Sequence, residues 1–310
     1  MSSTPKPIRI YGKEFYEKPN RLAMLAYIVD RCQYRCDYCY NRRPRTGIAM
    51  DLDRLWQFVS QLTEKFGKEV YLDLIGGEVT EHPDLVKFAE RKHDNVNLTA
   101  YSNFSKDISV YKRLIRAGCQ LIITYHPHVE PDKFLDRFAQ FDESEYGGIV
   151  SLPIMYRPGC PERSVYVFDQ IKKRFPGFKA LDFSLLDVNP NFEHIAYTGK
   201  ELSDFNVRSS QSEIRSTVIE YDDGSSRTVN DNYFFSNRHR LDFKFWKCMA
   251  GLDYLYVHYD GTVHPCDEND GVIIYDINKG GDFMFPRHPV ICPRHDCPCL
   301  FDVYKERLVK

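Results

Sequence analysis

The feature that most constrains the fold is a regular alternation of short apolar runs and amphipathic segments between residues 21 and 188. The apolar runs predict six strands, at 21–30, 70–77, 96–102, 119–125, 148–155 and 180–188. The intervening segments predict helices at 50–67, 82–92, 107–117, 131–140 and 163–174. Such alternation favours right-handed βαβ units around a parallel sheet, either a partial barrel or an open doubly wound sheet. In both, ligands bind at the carboxyl ends of the strands.

The strand–helix rhythm stops after residue 190, and two β-hairpins are predicted beyond it. Their turns are Asp223-Gly224, within 216–230, and Asp260-Gly261, within 253–266. We therefore expect four regions: an N-terminal extension at 1–20, an α/β domain at 21–190, a connector with a β-hairpin at 191–240 and a small C-terminal module at 241–310.

Composition is that of an ordinary globular protein and excludes several classes of function. Hydrophobic residues make up 43% and charged residues 28%, and the net charge of −2 argues against bulk nucleic-acid or membrane-surface binding. The first residues lack the apolar stretch of a secretory signal, and no apolar run reaches the ~18–20 residues of a membrane span. We expect a cytoplasmic protein with reduced thiols.

The ten cysteines are clustered rather than spread evenly. Cys32, Cys36 and Cys39 lie in one loop after the first predicted strand. In a reduced compartment such clusters indicate metal or iron–sulfur ligands. Three thiolates leave one iron of a [4Fe–4S] cluster open to another ligand, whereas a structural zinc needs a fourth protein ligand that is missing nearby. Zinc remains an alternative, and a disulfide is a weaker one.

The loop C-x3-C-x-aromatic-C, with Tyr38 as its aromatic residue, resembles that of the radical S-adenosylmethionine (radical SAM) superfamily. The resemblance implies an α/β fold, a partial (β/α)6 TIM-like barrel. It implies that Cys32, Cys36 and Cys39 bind a [4Fe–4S] cluster whose unique iron chelates S-adenosylmethionine (AdoMet). Reductive cleavage of AdoMet then gives a 5′-deoxyadenosyl radical, which abstracts hydrogen from a substrate.

Further motifs at the predicted strand ends agree with this resemblance. Gly76-Gly77-Glu78 resembles the Gly-Gly-Glu motif that binds the amino group of AdoMet, although alone it is a common turn. Ser102-Asn103 stands where many members carry Thr-Asn-Gly, with Phe104 replacing the glycine. The resemblance also makes Thr124 a candidate contact of the ribose. A turn or helix cap is the alternative for Asn103.

Three polar residues at this edge are candidate catalytic or substrate-binding groups. His126 and His128 follow the fourth predicted strand, and histidine titrates near neutral pH. Asp187 follows the sixth strand. The alternatives are partly exposed loop histidines and a loop-capping carboxylate.

The late cysteines predict a second site. The segment from Cys248 through the hairpin to Cys266 resembles the SPASM/twitch extension of some radical SAM enzymes, which implies an auxiliary [4Fe–4S] cluster. We favour Cys248, Cys266, Cys297 and Cys299 as its ligands, with Cys292 as a replacement for one of the last two. A zinc staple is the alternative.

The resemblance predicts a radical SAM oxidoreductase or maturase, and the substrate is less constrained. Only about 20 residues precede the first strand, too few for a peptide-recognition domain. We therefore expect a small-molecule substrate, such as a sugar, nucleotide or amino-acid derivative, undergoing dehydrogenation or rearrangement. Peptide or protein modification is the second hypothesis, and a non-catalytic Fe–S or zinc scaffold a remote third. Flavodoxin or ferredoxin is the expected electron donor.

Overall fold

The computed structural model describes residues 5–12, 18, 20–39, 47–91, 94–159, 161–186, 195–209, 216–230, 241–266, 272–295 and 305–307. The chain divides into two compact units. The first comprises Met1–Tyr27, Asp53–Leu72 and Arg215–Lys310. The second comprises Ile28–Leu52 and Asp73–Ile214.

The strands of the described residues are β1 (Pro7–Gly12), β2 (Arg21–Val29), β3 (Glu69–Gly76), β4 (Val96–Ser102), β5 (Gln120–Ile123), β6 (Ile149–Tyr156), β7 (Leu181–Leu185), β8 (Ser216–Tyr221), β9 (Ser226–Asn230), β10 (Trp246–Cys248), β11 (Tyr254–Val257), β12 (Thr262–His264), β13 (Tyr275–Asp276), β14 (Val290–Ile291) and β15 (Lys305–Arg307). The α-helices are α1 (Leu52–Ser60), α2 (Leu85–Ala89), α3 (Ile108–Arg116), α4 (Pro131–Phe138), α5 (Pro161–Arg174) and α6 (Gly199–Ser209). A π-helical turn, Gln61–Lys65, continues α1.

The second unit is a parallel α/β arrangement. Its strands lie in the order β2-β3-β4-β5-β6-β7. Only the last residues of β2 and β3 belong to this unit, and the earlier residues of both strands belong to the first unit. The pairs β4–β5, β5–β6 and β6–β7 are all parallel. Helix α3 begins at its N-cap Asp107, whose carboxylate accepts a 2.9 Å hydrogen bond from the N–H of Ser109. Tyr111 and Leu114 form the buried face of this helix.

The first unit contains an antiparallel sheet of six strands in the order β14-β10-β15-β1-β8-β9. Its buried core is formed by Ile10, Ile219, Val229, Phe243 and Trp246. The same unit contains the hairpin β11–β12, and β11 runs parallel to the first part of β2. Three successive residues of β8, Thr217, Val218 and Ile219, are buried, as is Val229 of β9.

The parallel α/β organisation predicted from sequence is confirmed, as are both hairpins. Several elements were not predicted, among them one strand and one helix. The strand β1 lies in the segment interpreted as an extension, and α6 lies in the segment interpreted as weakly periodic. Helix α2 is shorter than the predicted 82–92: His82 is still extended after a 3-10 turn at Val79–Glu81, and the helix begins after its N-cap, Asp84.

Across the part of the chain that the structure describes, no helix combines the length and the apolar character needed to cross a bilayer.

Candidate functional site

Cysteine and polar side chains follow the ends of four neighbouring strands in the second unit. The loop of Cys32 follows β2, Glu78 follows β3, Asn103 follows β4 and Thr124 follows β5. Parallel strands place their carboxyl ends at one edge of a sheet, where α/β folds bind ligands. The hydrogen bonds described below join these strand ends into one site.

Gly76 and Gly77 allow the end of β3 to approach the segment between β2 and the cysteine loop. The N–H groups of Gly77 and Glu78 donate to the carbonyl oxygens of Val29 and Arg31, both at 2.8 Å. A Cβ atom on Gly76 would lie 2.2 Å from the Val29 oxygen, and one on Gly77 would lie 2.3 Å from the Arg31 oxygen. Only glycine fits here, because the obstructing atoms are backbone. The close approach is thus to the chain's own backbone.

Glu78 is buried, with 1% of its surface exposed, and its carboxylate is the centre of a hydrogen-bond network. Oε1 accepts from the N–H (3.1 Å) and hydroxyl (2.6 Å) of Thr80 and from the hydroxyl of Ser102 (2.7 Å). Oε2 accepts from the N–H of Asn103 at 2.7 Å. Burial raises the pKa of Glu78, and the hydrogen bonds from Thr80, Asn103 and Ser102 oppose that rise.

Asn103 contacts both the Glu78 network and the cysteine loop. Its side-chain Nδ2 donates to the Sγ atom of Cys32 at 3.6 Å. Its Oδ1 accepts from Nε2 of Gln33, the residue after that cysteine, at 3.1 Å. The structure therefore brings together Glu78, Ser102 and Asn103, three of the predicted cofactor-binding residues, with one predicted cluster ligand.

Phe104 shows why glycine is common after this asparagine. Its φ is +57°, in the left-handed region that a side chain disfavours. Arg137 compensates from α4: its guanidinium donates to the Phe104 carbonyl and lies 5.7 Å from the centre of the Phe104 ring. The ring packs in a buried aromatic core with Phe134 and Phe141.

The cysteine loop carries three partly exposed cysteines, Cys32, Cys36 and Cys39. Burial and the neighbouring Cys39 raise the pKa of the Cys36 thiol to about 11. Among the residues that the structure describes, no three His, Cys, Asp or Glu side chains are grouped closely enough to hold one metal ion. A cubane cluster gives each thiolate its own iron and does not require three sulfurs to converge on one point.

The residues after β5 lie against this loop. The Tyr38 hydroxyl and Nδ1 of His126 are 2.9 Å apart, and the two rings are stacked. Burial lowers the pKa of His126 to about 4, so its imidazole is neutral near pH 7. His128 is exposed, with Nδ1 at 3.9 Å from the Cys36 sulfur. Thr124 is partly buried, and its N–H donates to the Ser102 carbonyl at 2.8 Å.

Sequence reasoning missed two residues of this site. Arg157, directly after β6, forms a two-pronged ion pair with Asp37 at 2.6 and 3.2 Å and lies over the Tyr38 ring at 5.2 Å. Tyr34 meets the ring of His128 edge-on at 4.8 Å. The position of Arg157 at the end of a predicted strand was the available signal. Asp187 lies outside the described residues.

Three of the late cysteines lie in the first unit. Cys248 is in β10 opposite Val290, and Cys292 follows β14. Cys266 and Cys292 both pack against the buried cluster that contains Phe243 and Trp246. Cys297 and Cys299 are outside the described residues.

Comparisons with known proteins fit this arrangement. A profile of the Radical SAM superfamily matches residues 27–191. No curated protein matches the chain. Among solved structures, anSMEcpe with bound AdoMet aligns with a TM-score of 0.56 and 16% identity, covering 84% of this chain and 76% of that one. Native anSMEcpe with bound AdoMet and Cp18Cys peptide aligns with a TM-score of 0.55 and 15% identity, and the alignment covers 84% of this chain and 78% of that one.

Streptococcus suis SuiB bound to S-adenosylmethionine aligns with a TM-score of 0.52 and 13% identity. The alignment covers 84% of this chain and 64% of SuiB, so the chain spans less than two thirds of that protein. At these identities the structures show a shared fold. The profile match extends over more than half of the 310 residues. The chain therefore belongs to the radical SAM superfamily, whose members are enzymes that use AdoMet and a [4Fe–4S] cluster.

Proposed function

We propose that this enzyme abstracts hydrogen from a small polar molecule, such as a sugar, a nucleotide or an amino-acid derivative, leading to a dehydrogenation or a rearrangement. When bound, the cluster supplies one electron to the sulfonium of AdoMet, which splits into methionine and the 5′-deoxyadenosyl radical that takes the hydrogen. The observation that carries the proposed AdoMet cleavage is the network that joins Glu78 to Asn103 and Asn103 to Cys32. Cys32, Cys36 and Cys39 are the proposed cluster ligands.

The chemistry of the donor set supports these ligands. The three thiols are partly exposed and do not converge on a single metal site, which fits separate irons better than one zinc. The raised pKa of Cys36 disfavours a bare thiolate, so binding to iron would release a proton.

Glu78 is proposed to accept the ammonium group of AdoMet. Its Oε1 already accepts three hydrogen bonds, whereas Oε2 accepts one from Asn103. A carboxylate oxygen accepts about two, so Oε2 has the capacity for a further donor. The remaining proposed AdoMet contacts are Tyr38, Gly76, Gly77, Ser102, Asn103 and Thr124.

His126 is a proposed catalytic or substrate-binding group. It is neutral near pH 7 and shares a hydrogen bond with the Tyr38 hydroxyl, and because a pKa of about 4 makes it a weak base, hydrogen bonding beside the cysteine loop is the role that it fits best. His128 and Asp187 stay candidates for substrate contacts. The ring nitrogens of His126 and His128 suit a substrate with hydroxyl or amino groups.

The C-terminal region is proposed to hold an auxiliary [4Fe–4S] cluster in a SPASM/twitch-like module. The positions of three cysteines support this module. Cys266 and Cys292 pack against the hydrophobic cluster that contains Trp246, and Cys248 lies in β10, the strand of Trp246. Cys297 and Cys299 are the other proposed ligands. The domain limits predicted from the sequence, a cytoplasmic location and a flavodoxin or ferredoxin partner belong to the same proposal.

Modification of a peptide is the second candidate function. The observation that favours it is the shared fold with anSMEcpe, a protein solved with a bound peptide. Deuterated small molecules and deuterated peptides distinguish the two. The enzyme is incubated anaerobically with each, AdoMet and reductant, and 5′-deoxyadenosine is analysed by mass spectrometry. Deuterium transfer from a small molecule is the expected result, and transfer from peptides alone would overturn the preferred substrate class.

A further inference from the structure

The side chain of Asn103 is held in one orientation beside the cysteine loop. The residue is 8% exposed, and its backbone N–H is fixed by the Glu78 carboxylate. Nε2 of Gln33 donates to Oδ1 of Asn103, and the same amide also contacts the hydroxyl of Ser105. This contact assigns the oxygen of the Asn103 amide to Gln33, so the opposite end of the amide, Nδ2, faces Cys32.

A side-chain N–H aimed at a cysteine sulfur acts on a cluster bound through that sulfur. Reduction adds one negative charge to an iron–sulfur cluster and its thiolates. A donor dipole therefore stabilises the reduced form more than the oxidised form, and hydrogen bonds to sulfur are one determinant of cluster potential. The contact is partly buried, and a donor has a stronger effect on sulfur there than in water.

We propose that Asn103 is a positioning residue that raises the reduction potential of the cluster, acting through Cys32. The proposal rests on the proposed ligation of that cluster by Cys32, Cys36 and Cys39. It differs from a role in AdoMet binding, because the two contacts use different atoms. The backbone N–H serves Glu78, and the side-chain Nδ2 serves Cys32. A substitution at this position removes the second contact and retains the first.

The test compares Asn103→Leu, which has a similar volume but no N–H, with Asn103→Asp, which places a carboxylate near the sulfur. Asn206→Ala, at an exposed position in α6, is the control. Full-length proteins are reconstituted anaerobically, and the EPR signal that changes on AdoMet addition is followed in a redox titration. This signal separates the first cluster from any auxiliary one. AdoMet affinity is measured by equilibrium dialysis.

We expect the wild type to have the highest reduction potential, Asn103→Leu a lower one and Asn103→Asp the lowest. Asn206→Ala should equal the wild type. For Asn103→Leu we expect about a tenfold lower ratio of reduced to oxidised cluster at a fixed potential, or about 59 mV for one electron. The AdoMet affinity of this variant is measured separately, because Asn103 is also a proposed AdoMet contact, and the potentials are compared in samples without AdoMet.

Two results would overturn this role of Asn103. One is an unchanged potential in both variants. The other is loss of the AdoMet-responsive signal in both while Asn206→Ala keeps it, since Asn103 would then be needed for assembly of the cluster. A wild-type protein that binds no cluster at Cys32, Cys36 and Cys39 would instead contradict the proposed function, and the role of Asn103 with it.

Discussion

The backbone N–H of Asn103 and the carboxylate of Glu78 are joined by a 2.7 Å hydrogen bond between the ends of β4 and β3. Through this bond, the turn that follows β4 fixes the position of the buried Glu78 carboxylate, which follows the neighbouring strand β3. The same turn reaches the cysteine loop through the Asn103 side chain.

Replacement of Glu78 by Gln should weaken AdoMet binding and lower stability. The amide nitrogen that replaces one carboxylate oxygen would face the N–H and hydroxyl donors that now serve Glu78. A lost buried hydrogen bond of this kind costs about 1–3 kcal/mol. Urea unfolding and equilibrium dialysis with AdoMet measure the two effects. Glu90→Gln, at an exposed ion pair with Arg113, is the control, and equal behaviour of the two variants would contradict the prediction.

Gly77→Ala should displace the cysteine loop. The added Cβ would lie 2.3 Å from the Arg31 carbonyl oxygen, and neither backbone segment can yield without moving the loop. We expect a loss of about 1–3 kcal/mol in the free energy of unfolding, together with lower iron content. Gly147→Ala is a matched control, because nothing lies within 4 Å of its added Cβ. Wild-type iron content in Gly77→Ala would refute the packing argument.

His126 should titrate far below an ordinary histidine. Burial lowers its pKa to about 4, and the rings that face it belong to Tyr34, Tyr38 and His128. The unfolded chain binds a proton near pH 6.5 while the folded chain does not. The free energy of unfolding is therefore highest above pH 6.5, and it falls by about 1–3 kcal/mol as the pH drops toward 4. NMR of histidine-labelled, metal-free protein gives the midpoint directly. A midpoint near 6.5 would show that His126 is solvated.

The Asp37–Arg157 pair should order the cysteine loop while adding little global stability. The Asp37 side chain is 71% exposed, and pairs of that kind contribute about 0.2–1 kcal/mol. Arg157→Gln should therefore change the free energy of unfolding by less than about 1 kcal/mol and still speed hydrogen exchange in the loop, because contact with the Tyr38 ring is also lost. If the loop of Arg157→Gln exchanged hydrogen at the wild-type rate, the ion pair would have no role in ordering the loop. Asp37→Asn in the same background should add no further effect if the two residues act as a pair.

Much of the site could be predicted because it depends on local patterns. Strand–helix alternation places the cysteine loop, Glu78 and Asn103 at successive strand ends, and the structure brings these residues into contact. What could not be predicted depends on long-range pairing. Strand β1 is paired with β15, and the side chains of Arg9 and Glu306 meet although 297 residues separate them. Short strands carry no signal for such a register.

Two details of the site were hidden for different reasons. Phe104 replaces the usual glycine, and the sequence did not show that its backbone has a positive φ or that Arg137 donates to its carbonyl. The partner of Asp37 was invisible because the ion pair with Arg157 joins a loop after β2 to the end of β6. Only the three-dimensional arrangement of the strand ends reveals it.

Changes at the late cysteines should separate the two proposed clusters. Cys248→Ala and Cys266→Ala should lower iron from about eight to about four per chain, given four irons per cubane. The AdoMet-responsive EPR signal should persist, because Cys32, Cys36 and Cys39 are untouched. Iron near four in the wild type, unchanged in both variants, would contradict an auxiliary cluster.

The most direct test of the account is release of 5′-deoxyadenosine. Full-length protein reconstituted anaerobically with iron and sulfide is mixed with dithionite and AdoMet, and the product is measured by liquid chromatography. We predict release by the wild type and its loss in Cys32→Ala, Cys36→Ala and Cys39→Ala. Absence of release from a wild-type protein that binds zinc in place of iron would contradict the assignment of this loop as the AdoMet-cleaving site.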